Sequence, residues 1–479
     1  MTSFERLDDN RLLLPVDYKK EMNVSGIIYA SVELEGLVET RAIDQVAAVA
    51  SLPGIVGYSL AMPDIHAGYG FPIGGVAAFD INNGIISPGG VGYDINCGVR
   101  LIRSSITKDE IMPVMKEAVI GLYHAVPSGL GTKGNIRLNQ RELLQVFSRG
   151  AGWAVESGYG NVQDLLRIES NGCLSDVYTE TISEKAIERG LNQLGTLGSG
   201  NHFLEIQYVD KVYDEVIAAS FGLFKRQVTL MIHSGSRGLG HQVCTDYISI
   251  MEHASRKYGI NLVDKELSCA PFNSPEGGDY FSAMKASANY AWANRQCIGS
   301  NASEALMKAL GMSPKSAGFE LLYDVAHNIA KIERHIFNGK KLDLIVHRKG
   351  ATRAFPPGHN ELTAEFKVTG QPVLIPGDMG RASYVMSGLE GSMNNTFGST
   401  CHGAGRVMSR HQALKAAKGR SIFREMEDLG IMLIASDKRS IGEEMSEAYK
   451  DVSKVIDVVE ASGLCKKVAR LRPIGVVKG

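Results

Sequence analysis

Six separate segments of the chain each place a residue that can bind a metal ion or act as a nucleophile close to glycine. They are MPDIHAGYG (62–70), GGVGYDINCGVRL (89–101), LGTLGSGNHFLEI (194–206), MIHSGSRGLGHQV (231–243), YDVAHNIAKIE (323–333) and STCHGAGRVMSR (399–410). Histidine, cysteine and aspartate bind cations, and glycine lets the backbone come close to a ligand. Six such segments in one chain indicate a single site, brought together by folding, that holds metal and phosphate.

Five residues in these segments have the chemistry of a metal centre: Asp94, Cys97, His202, His233 and His327. Taken one at a time they have simpler interpretations, such as a turn aspartate, a buried thiol or a histidine that faces solvent. Taken together they would suffice for two cations that share one thiolate, with positions left open for a phosphate. Imidazole and thiolate alone favour zinc, whereas a carboxylate and open octahedral positions admit manganese.

A different chemistry is indicated by His402, which lies in the glycine loop CHGAGR. A helix predicted over 405–427 would follow directly, so the amides of Gly403 and Gly405 and the helix dipole would favour an anion. A neutral imidazole at this position could act as a base, as a metal ligand or as a nucleophile toward phosphorus.

Further phosphate contacts are predicted from arginines and from one aspartate. Arg237 lies between the strand that ends at His233 and a helix, which is a frequent arrangement for binding anions. Arg348 and Arg353 in HRKGATRAFPPG predict a grip on a phosphate backbone. Asp64 in PDIHAGYG has two interpretations, a capped turn or a group that does acid–base chemistry or contacts RNA.

The elements that position these residues follow from hydrophobic periodicity. We predict strands in 71–105 and at 202–209, 226–233, 342–347 and 372–378, and helices at 40–51, 107–123, 239–257, 319–336, 405–427 and 443–462, with 135–190 mostly helical. In this assignment His327 lies on the polar side of the helix 319–336. Strands and helices alternate irregularly, which predicts an α/β fold of mixed α+β character. Because the motifs run through nearly the whole sequence, we expect one large domain, 1–479, with strands around a central cleft for two metals and phosphate.

Composition adds few constraints on function. Lys+Arg number 51 and Asp+Glu 52, so the net charge of −1 neither favours nor excludes nucleic acid as a partner. The seven cysteines contain no CxxC pair, which is typical of a reducing compartment. No apolar run of membrane-spanning length and no signal peptide are apparent, so we expect a cytoplasmic protein without a membrane anchor.

The motifs in combination resemble the RtcB family of tRNA-splicing RNA ligases. The resemblance covers residues 63–479 and includes PDIHAGYGFPIGG, GGVGYDINCGVR, LGSGNHFLE, HSGSRGLG, YDVAHNIAK, HRKGATRAFPPG, PGDMGRASYV, CHGAGR and RPIGVVKG. It implies an enzyme that uses GTP and two Mn²⁺ ions to join RNA ending in a 2′,3′-cyclic phosphate or 3′-phosphate to RNA with a 5′-hydroxyl. tRNA halves are the expected substrate, and an activator protein of the archease type and a monomeric state are also expected.

The resemblance also implies a role for individual residues. Cys97 would bridge the two metals, with Asp94 and His202 on one ion and His233 and His327 on the other. His402 would attack the α-phosphorus of GTP and carry GMP as a phosphoramidate. The nucleotide would be held by Asn201, Glu205, Asn328, Ser383, Gly403, Tyr449 and Lys478. Asp64 would lie near the RNA termini, and Arg237 and Asn328 would lie near phosphates.

Two rival functions use parts of the same pattern. A dinuclear metallophosphoesterase acting on RNA ends would need the five metal-type residues but no nucleophilic histidine beside a nucleotide pocket. An RNA-binding protein with a structural metal would need only the basic runs and a closed metal site. Covalent labelling by GTP distinguishes the ligase from both.

Overall fold

The computed structural model describes residues 4–437 and 440–479, and within them the α/β prediction with mixed α+β character is confirmed. The strands are β1 (Glu5–Asp8), β2 (Arg11–Leu14), β3 (Gly26–Tyr29), β4 (Ile55–His66), β5 (Ile73–Asp80), β6 (Ile85–Ile86), β7 (Gly98–Thr107), β8 (Phe203–Val212), β9 (Gln227–Ser234), β10 (Ala270–Pro271), β11 (Glu320–Ala326), β12 (Asn328–Phe337), β13 (Lys340–Lys349), β14 (Ala351–Arg353), β15 (Pro372–Ile375), β16 (Ser383–Gly388), β17 (Ser399–Cys401), β18 (Met432–Ala435) and β19 (Cys465–Lys478).

The helices of the described chain vary from single turns to ten turns. They are α1 (Val32–Glu35), α2 (Thr40–Val49), α3 (Lys108–Ile111), α4 (Met115–Ala125), α5 (Gln140–Arg149), α6 (Ala151–Glu156), α7 (Val162–Leu165), α8 (Glu184–Gly190), α9 (Glu215–Ser220), α10 (Arg237–Lys257), α11 (Pro275–Leu310), α12 (Pro314–Ala317), α13 (Glu390–Thr396), α14 (Arg410–Ala416), α15 (Ile422–Asp428) and α16 (Val452–Ala461).

Two large sheets organise the described part of the chain. One runs in the order β1-β2-β3-β4-β5-β13-β12, and the other in the order β11-β7-β9-β8-β19-β16-β15, with β18 paired to β19. Strand β9 is buried at every residue, because it lies between β7 and β8 in the second sheet. Its apolar run VTLMI fits a central strand with both faces covered.

The metal-type segments meet at one edge of the second sheet. The register pairs Gly98 with Ser234 and Phe203 with His233, so the start of β7, the start of β8 and the end of β9 coincide. The end of β11 reaches the same edge, where Ala326 pairs with Gly98. Antiparallel pairing therefore brings together four segments that are far apart in the sequence.

The long helix α11, of 36 residues, supports this edge from behind and was not predicted from the sequence. Its Arg295 donates to both carboxylate oxygens of Asp324 and to the backbone carbonyls of Asn96 and Ser234. Arg100 donates to the same carboxylate at 2.8 Å. The buried Asp324 carboxylate is thus paired with two guanidinium groups, and pairing is the condition for tolerating such charges in a core.

The helix predicted over 319–336 is wrong. This stretch forms β11 and β12, and His327 lies at the junction between them. β11 is buried on both faces from Leu321 to Ala326, so it lacks the strict alternation that identifies a half-buried strand. Its apolar residues fit the spacing of a helix equally well, and pairing with β7 and β13 decides the outcome.

Most other predicted elements are confirmed with shifted ends. The strands at 202–209, 226–233 and 342–347 correspond to β8, β9 and β13, and the helix at 239–257 corresponds to α10. The helix predicted over 443–462 is restricted to α16, because 3₁₀ turns occupy 440–444 and 446–448.

Candidate metal and nucleotide site

The predicted metal ligands form one connected cluster. Asp94 Oδ2 lies 2.8 Å from His202 Nε2, and Cys97 Sγ lies 3.4 Å from that nitrogen and 3.2 Å from His233 Nε2. His233 Nε2 lies 3.2 Å from His327 Nε2. The donor atoms of Cys97, His202 and His233 fall within 4.8 Å of one another, which is close enough to share cations.

Backbone carbonyls orient two of the rings. His202 Nδ1 lies 3.0 Å from the carbonyl oxygen of Leu197, and His233 Nδ1 lies 3.1 Å from that of Asn201. A carbonyl can only accept, so each Nδ1 carries a proton, and Nε2 is the nitrogen that each ring turns toward the cluster. This is the usual support for metal-binding imidazoles. His327 Nδ1 is buried with no hydrogen-bond partner in the described chain.

The electrostatics of the cluster suit a cation. Burial alone would raise the pKa of Asp94, but the interaction with His202 has the opposite effect and contributes to a pKa of about 2. Burial, followed by the charge of Asp94, raises the pKa of the Cys97 thiol well above its usual value. Burial also lowers the pKa of His233 and His327 well below the ordinary range, so both rings are neutral. A bound cation would deprotonate Cys97, because coordinated thiols lose their proton.

His402 lies beside the cluster, with its ring centroid 4.9 Å from that of His327. Its Nδ1 lies 2.6 Å from Asp64 Oδ2, and Asp64 is fully buried at the end of β4. Burial raises the pKa of Asp64, yet the charge and hydrogen bonds of His402 lower it overall. An ionised carboxylate can only accept, so Nδ1 donates its proton to Asp64, and the neutral form of the ring offers Nε2 as a base or nucleophile.

The loop around His402 differs from the prediction. Residues 402–409 contain no helix, because α14 begins only at Arg410. The amides of His402 and Gly403 donate to Asp64 at 2.9 and 3.2 Å, so the carboxylate occupies the anion position predicted for a phosphate. Gly405 has φ of +74°, and a Cβ there would lie 2.2 Å from the carbonyl oxygen of Asp64. Glycine is therefore required for the loop to pack on β4.

A cavity of about 250 Å³ extends from the cluster past His402 to a polar end. Glu205 and Lys478 line this end, and both are buried. Lys478 Nζ donates to Glu444 Oε2 at 3.1 Å, and Tyr449 donates to the same oxygen at 2.5 Å. Burial raises the pKa of Glu205 to about 7, only partly opposed by Gln207 and Lys478. The polar end thus offers carboxylates, an ammonium group and an aromatic ring to one ligand.

Comparisons with known proteins identify the family of the chain. Residues 45–479 match the family model described as tRNA-splicing ligase RtcB. The chain belongs to the RtcB family. It is 54% identical to the tRNA-splicing ligase RtcB of Archaeoglobus fulgidus over 475 residues, which is 99% of this chain and 98% of that protein. It is 53% identical to the protein of the same name from Thermococcus kodakarensis over 480 residues, or 100% of this chain and 99% of that protein. It is 52% identical to the RNA-splicing ligase RtcB of Mycobacterium tuberculosis over 438 residues, or 91% and 100% respectively.

Membership of the RtcB family implies RNA ligation. All the relatives named above are RNA- or tRNA-splicing ligases. Among the described helices, none has both the length and the apolar composition needed to cross a bilayer.

The remaining residues expected from the RtcB resemblance lie at or behind the cavity. Asn201 and Asn328 line it, and the Asn328 amide bridges the carbonyl of Asp94 and the amide of Gly350. Ser383 lies one layer behind, where its Oγ accepts from Gln207 Nε2 at 3.1 Å. Arg237 begins α10, and its guanidinium donates to Thr196 and to the carbonyl of Gly129.

Arg348 and Arg353 do not lie at the cavity, so the predicted grip on RNA is not supported by their positions. Arg348 is fully buried and donates to both oxygens of Glu333, at 2.5 and 2.8 Å. Arg353 is also buried and donates to Glu361 and Gln371. Alternation along β13 and β14 turns these side chains into the core, where carboxylates already neutralise them.

This correction gives a testable prediction for stability. Replacing Arg348 with methionine leaves Glu333 buried without its partner, which costs roughly 3–5 kcal/mol of unfolding free energy. Chemical denaturation of both proteins measures the loss. A double variant, Arg348→Met with Glu333→Leu, is expected to recover much of it. If the single variant instead keeps the wild-type denaturation midpoint and binds RNA more weakly, then Arg348 contacts RNA.

Asp64 was predicted to do acid–base chemistry or to contact RNA, but its partner His402 was not predicted, because the two residues lie 338 positions apart. Two further residues of the site were given no role. Arg406 belongs to CHGAGR, but no role was given to it; it donates to Tyr449 at 2.9 Å and to Glu444 at 3.2 Å. Glu444 lies outside every recognised motif. Only its contacts with Lys478 and Arg406 in the structure identify it as a residue of the site.

Proposed function

We propose that the chain is a GTP-dependent RNA ligase. It joins RNA ends bearing a 2′,3′-cyclic phosphate or 3′-phosphate to RNA with a 5′-hydroxyl. The observation that carries this proposal is His402, whose Nδ1 is held by Asp64 while Nε2 is left free at the wall of the cavity. A hydrolase with the same metal-type cluster has no need of this arrangement.

His402 starts the reaction with GTP as a cosubstrate. Nε2 attacks the α-phosphorus, the bond between Nε2 and phosphorus forms, and the bond to the bridging oxygen of pyrophosphate breaks. The proton on Nδ1 stays in place and the Asp64 carboxylate stabilises the positive charge that develops on the ring. The product is a histidine phosphoramidate of GMP together with free pyrophosphate.

The polar end of the cavity fits guanine. The Glu205 carboxylate can accept from the N1–H and the amino group of guanine, and the Lys478 ammonium can donate to O6. Adenine presents the opposite pattern at these positions, so it could not make these hydrogen bonds. The ring of Tyr449 lines the same end and can contact the base.

The donor set also fits two manganese ions. Asp94 and His202 would hold one ion, His233 and His327 the other, and the Cys97 thiolate would be shared. The convergence of the donor atoms of Cys97, His202 and His233 within 4.8 Å of one another supports this fit. Bound cations neutralise phosphate charge and orient oxygens for in-line displacement.

Transfer of the nucleotide then activates the RNA end. A 3′-phosphate oxygen attacks the phosphoramidate, the bond from Nε2 to phosphorus breaks, and RNA capped with GMP is released from His402. The 5′-hydroxyl of the second RNA attacks the 3′-phosphorus, GMP leaves and a phosphodiester forms. A cyclic phosphate must first be opened by water to enter this sequence.

The decisive experiment is incubation with α-labelled GTP and Mn²⁺, followed by denaturation. Label that survives denaturation and base but is released by acid supports the ligase. Addition of 3′-phosphate RNA should then transfer the label to RNA, and addition of 5′-hydroxyl RNA should release it as GMP. No label under any metal condition, with release of phosphate from RNA ends, would support the metallophosphoesterase.

Asp64→Asn is expected to slow guanylylation by roughly 10³-fold, because the amide stabilises the tautomer that carries its proton on Nε2. The same side chain also accepts two backbone amides, so melting temperature should be measured alongside the rate. Rapid-quench labelling with GTP alone gives the rate. Wild-type labelling in a folded Asp64→Asn protein would show that Asp64 does not position His402.

The raised pKa of Glu205 predicts that GTP binding depends on pH. With its pKa raised to about 7, Glu205 is neutral below that pH and accepts hydrogen bonds from guanine only as pH rises through it. We therefore expect the KM for GTP in guanylylation to fall as pH increases from 6 to 8. Glu205→Gln should weaken GTP binding by roughly tenfold or more and lose this pH dependence. An identical profile in the variant would exclude Glu205 as the titrating group.

The biological setting is part of the proposal. The relatives' names attach tRNA splicing to those proteins, so tRNA halves are the first RNA to test. All seven cysteines are free thiols, which agrees with the cytoplasmic location that we propose. The activator of the archease type and the monomeric state remain predictions.

A further inference from the structure

A buried lysine, Lys450, contacts the strand that carries Asp64. The exposed fraction of Lys450 is 2%, and its ammonium group donates to the carbonyl oxygens of Pro63 and Ile65 at 3.0 and 2.7 Å. These two residues flank Asp64 on either side. Burying an ammonium group is costly unless hydrogen bonds and a nearby opposite charge compensate it, so this position is a demanding one for a lysine.

The backbone around Asp64 is not held by the usual pairing of strands. β4 pairs with β5 at Ala61 and next at His66, with a shift of register between them, and its pairing with β3 also stops at Ala61. In the described strands, residues 62–65 therefore have no paired position in either neighbour. The two hydrogen bonds from Lys450 fix the backbone at the point where that pairing is interrupted.

The main chain of Lys450 contacts the loop that carries His402. Its backbone amide donates to the carbonyl oxygen of Gly405 at 2.9 Å. One residue thus bonds the His402 loop through its main chain and the backbone on both sides of Asp64 through its side chain. This arrangement restricts how far the carboxylate and the imidazole can move relative to each other.

The charge of Lys450 also acts on Asp64. Burial lowers the pKa of Lys450 to about 8, and the charges of Asp64 and Glu39 oppose this effect, so the group is an ammonium ion at neutral pH. Burial raises the pKa of Asp64, the charge and hydrogen bonds of His402 lower it, and the charge of Lys450 lowers it further. Lys450 therefore favours the ionised carboxylate, which is the form that accepts a hydrogen bond from Nδ1 of His402.

We propose that Lys450 is a positioning residue for the guanylylation of His402 and that it acts through Asp64. This inference rests on the function proposed above. The lysine side chain holds the strand segment that presents the carboxylate, and the carboxylate orients the His402 ring so that Nε2 faces the α-phosphorus of GTP. Formation and cleavage of the bond between Nε2 and phosphorus then depend on Lys450. Sealing of RNA that already carries the GMP cap does not.

The first test is the reaction step at which Lys450→Met loses activity. Methionine keeps most of the length of the side chain and removes both the charge and the donor. We expect the kcat of guanylylation to fall roughly 10²-fold, the effect of displacing a reacting group by about 1 Å. The KM for GTP, the affinity for Mn²⁺ and the joining of preformed GMP-capped RNA should stay at their wild-type values. Lys454→Met, which removes an exposed lysine of α16, is the matched control.

A general distortion of the site would give a different pattern. Lys450 follows Tyr449, which lines the nucleotide end of the cavity, so a displaced segment would raise the KM for GTP and impair the joining of capped RNA as well. An equal loss in both steps, or a loss explained by the KM for GTP alone, would overturn the proposal.

A double-mutant cycle tests whether Lys450 acts through Asp64. In an Asp64→Asn background, Lys450→Met should slow guanylylation by roughly threefold or less, because the contact that it supports has already been removed. The same factor in both backgrounds would overturn the proposal. If melting curves show that Lys450→Met does not fold, Lys450→Gln, which keeps an N–H donor but lacks the charge, takes its place in the cycle. Failure of the wild-type protein to take label from GTP would instead refute the proposed function.

Discussion

Replacing His402 with alanine is expected to abolish covalent labelling by GTP, a fall of roughly 10⁴-fold or more. The variant removes the only atom that we propose to bond to the α-phosphorus, while the five metal-type side chains stay in place. Labelling with α-labelled GTP and Mn²⁺, separated on a denaturing gel, measures the loss. Joining of RNA should disappear with it, because RNA activation depends on the same phosphoramidate.

A second substrate separates the chemical step from folding. The His402→Ala protein should still join RNA that already carries the 3′ GMP cap, because that step breaks no bond to His402. His253→Ala, an exposed histidine near the end of α10, is the matched control and should label normally. Retained labelling in His402→Ala would identify another nucleophile and would contradict the assignment.

Replacing Cys97 with alanine is expected to weaken metal binding by roughly 10²-fold or more, since even indirect supports of metal ligands contribute 10- to 100-fold. Cys97 Sγ lies within 3.4 Å of two imidazole nitrogens, so one substitution removes a ligand from both proposed positions. Guanylylation and joining should be lost together. Titration calorimetry with Mn²⁺ gives the affinity.

Proton release provides an independent readout for Cys97. The pKa of the buried thiol is raised well above its usual value, so metal binding near neutral pH must displace its proton. Calorimetry in buffers of different ionisation enthalpy should show one proton fewer released by Cys97→Ala. Cys97→Ser should behave like alanine, because a hydroxyl keeps its proton, and Cys173→Ala should match the wild type. Near-normal metal content in Cys97→Ala would show that the thiolate is not shared.

The sequence predicted the members of the site better than their surroundings. Cys97, His202 and His233 stand in glycine-flanked segments whose residue types are typical of metal sites, and the structure brings them together. The prediction could not supply the partner of His402, since nothing local to PDIHAGYG points to a position 338 residues later. Only the packing of the CHGAGR loop on β4 determines that contact.

Long-range pairing also explains where the predicted elements failed. His327 was placed on a helix because its flanking apolar residues fit two periodicities, and the choice depends on strands from elsewhere in the chain. Arg348 looked like a phosphate ligand because the sequence shows its charge but not Glu333 opposite it. Helix α11 lacked an amphipathic pattern because it is buried around most of its first 25 residues.

The hydrogen bond between Asp64 and His402 has a consequence for the synthesis of the protein. At roughly 5–20 residues per second, a ribosome needs roughly 17–68 s to translate the 338 residues that separate them. During that interval the Asp64 carboxylate cannot form its hydrogen bond with His402. On the function proposed above, a nascent chain therefore cannot take up GMP until His402 has been translated and its loop has packed on β4.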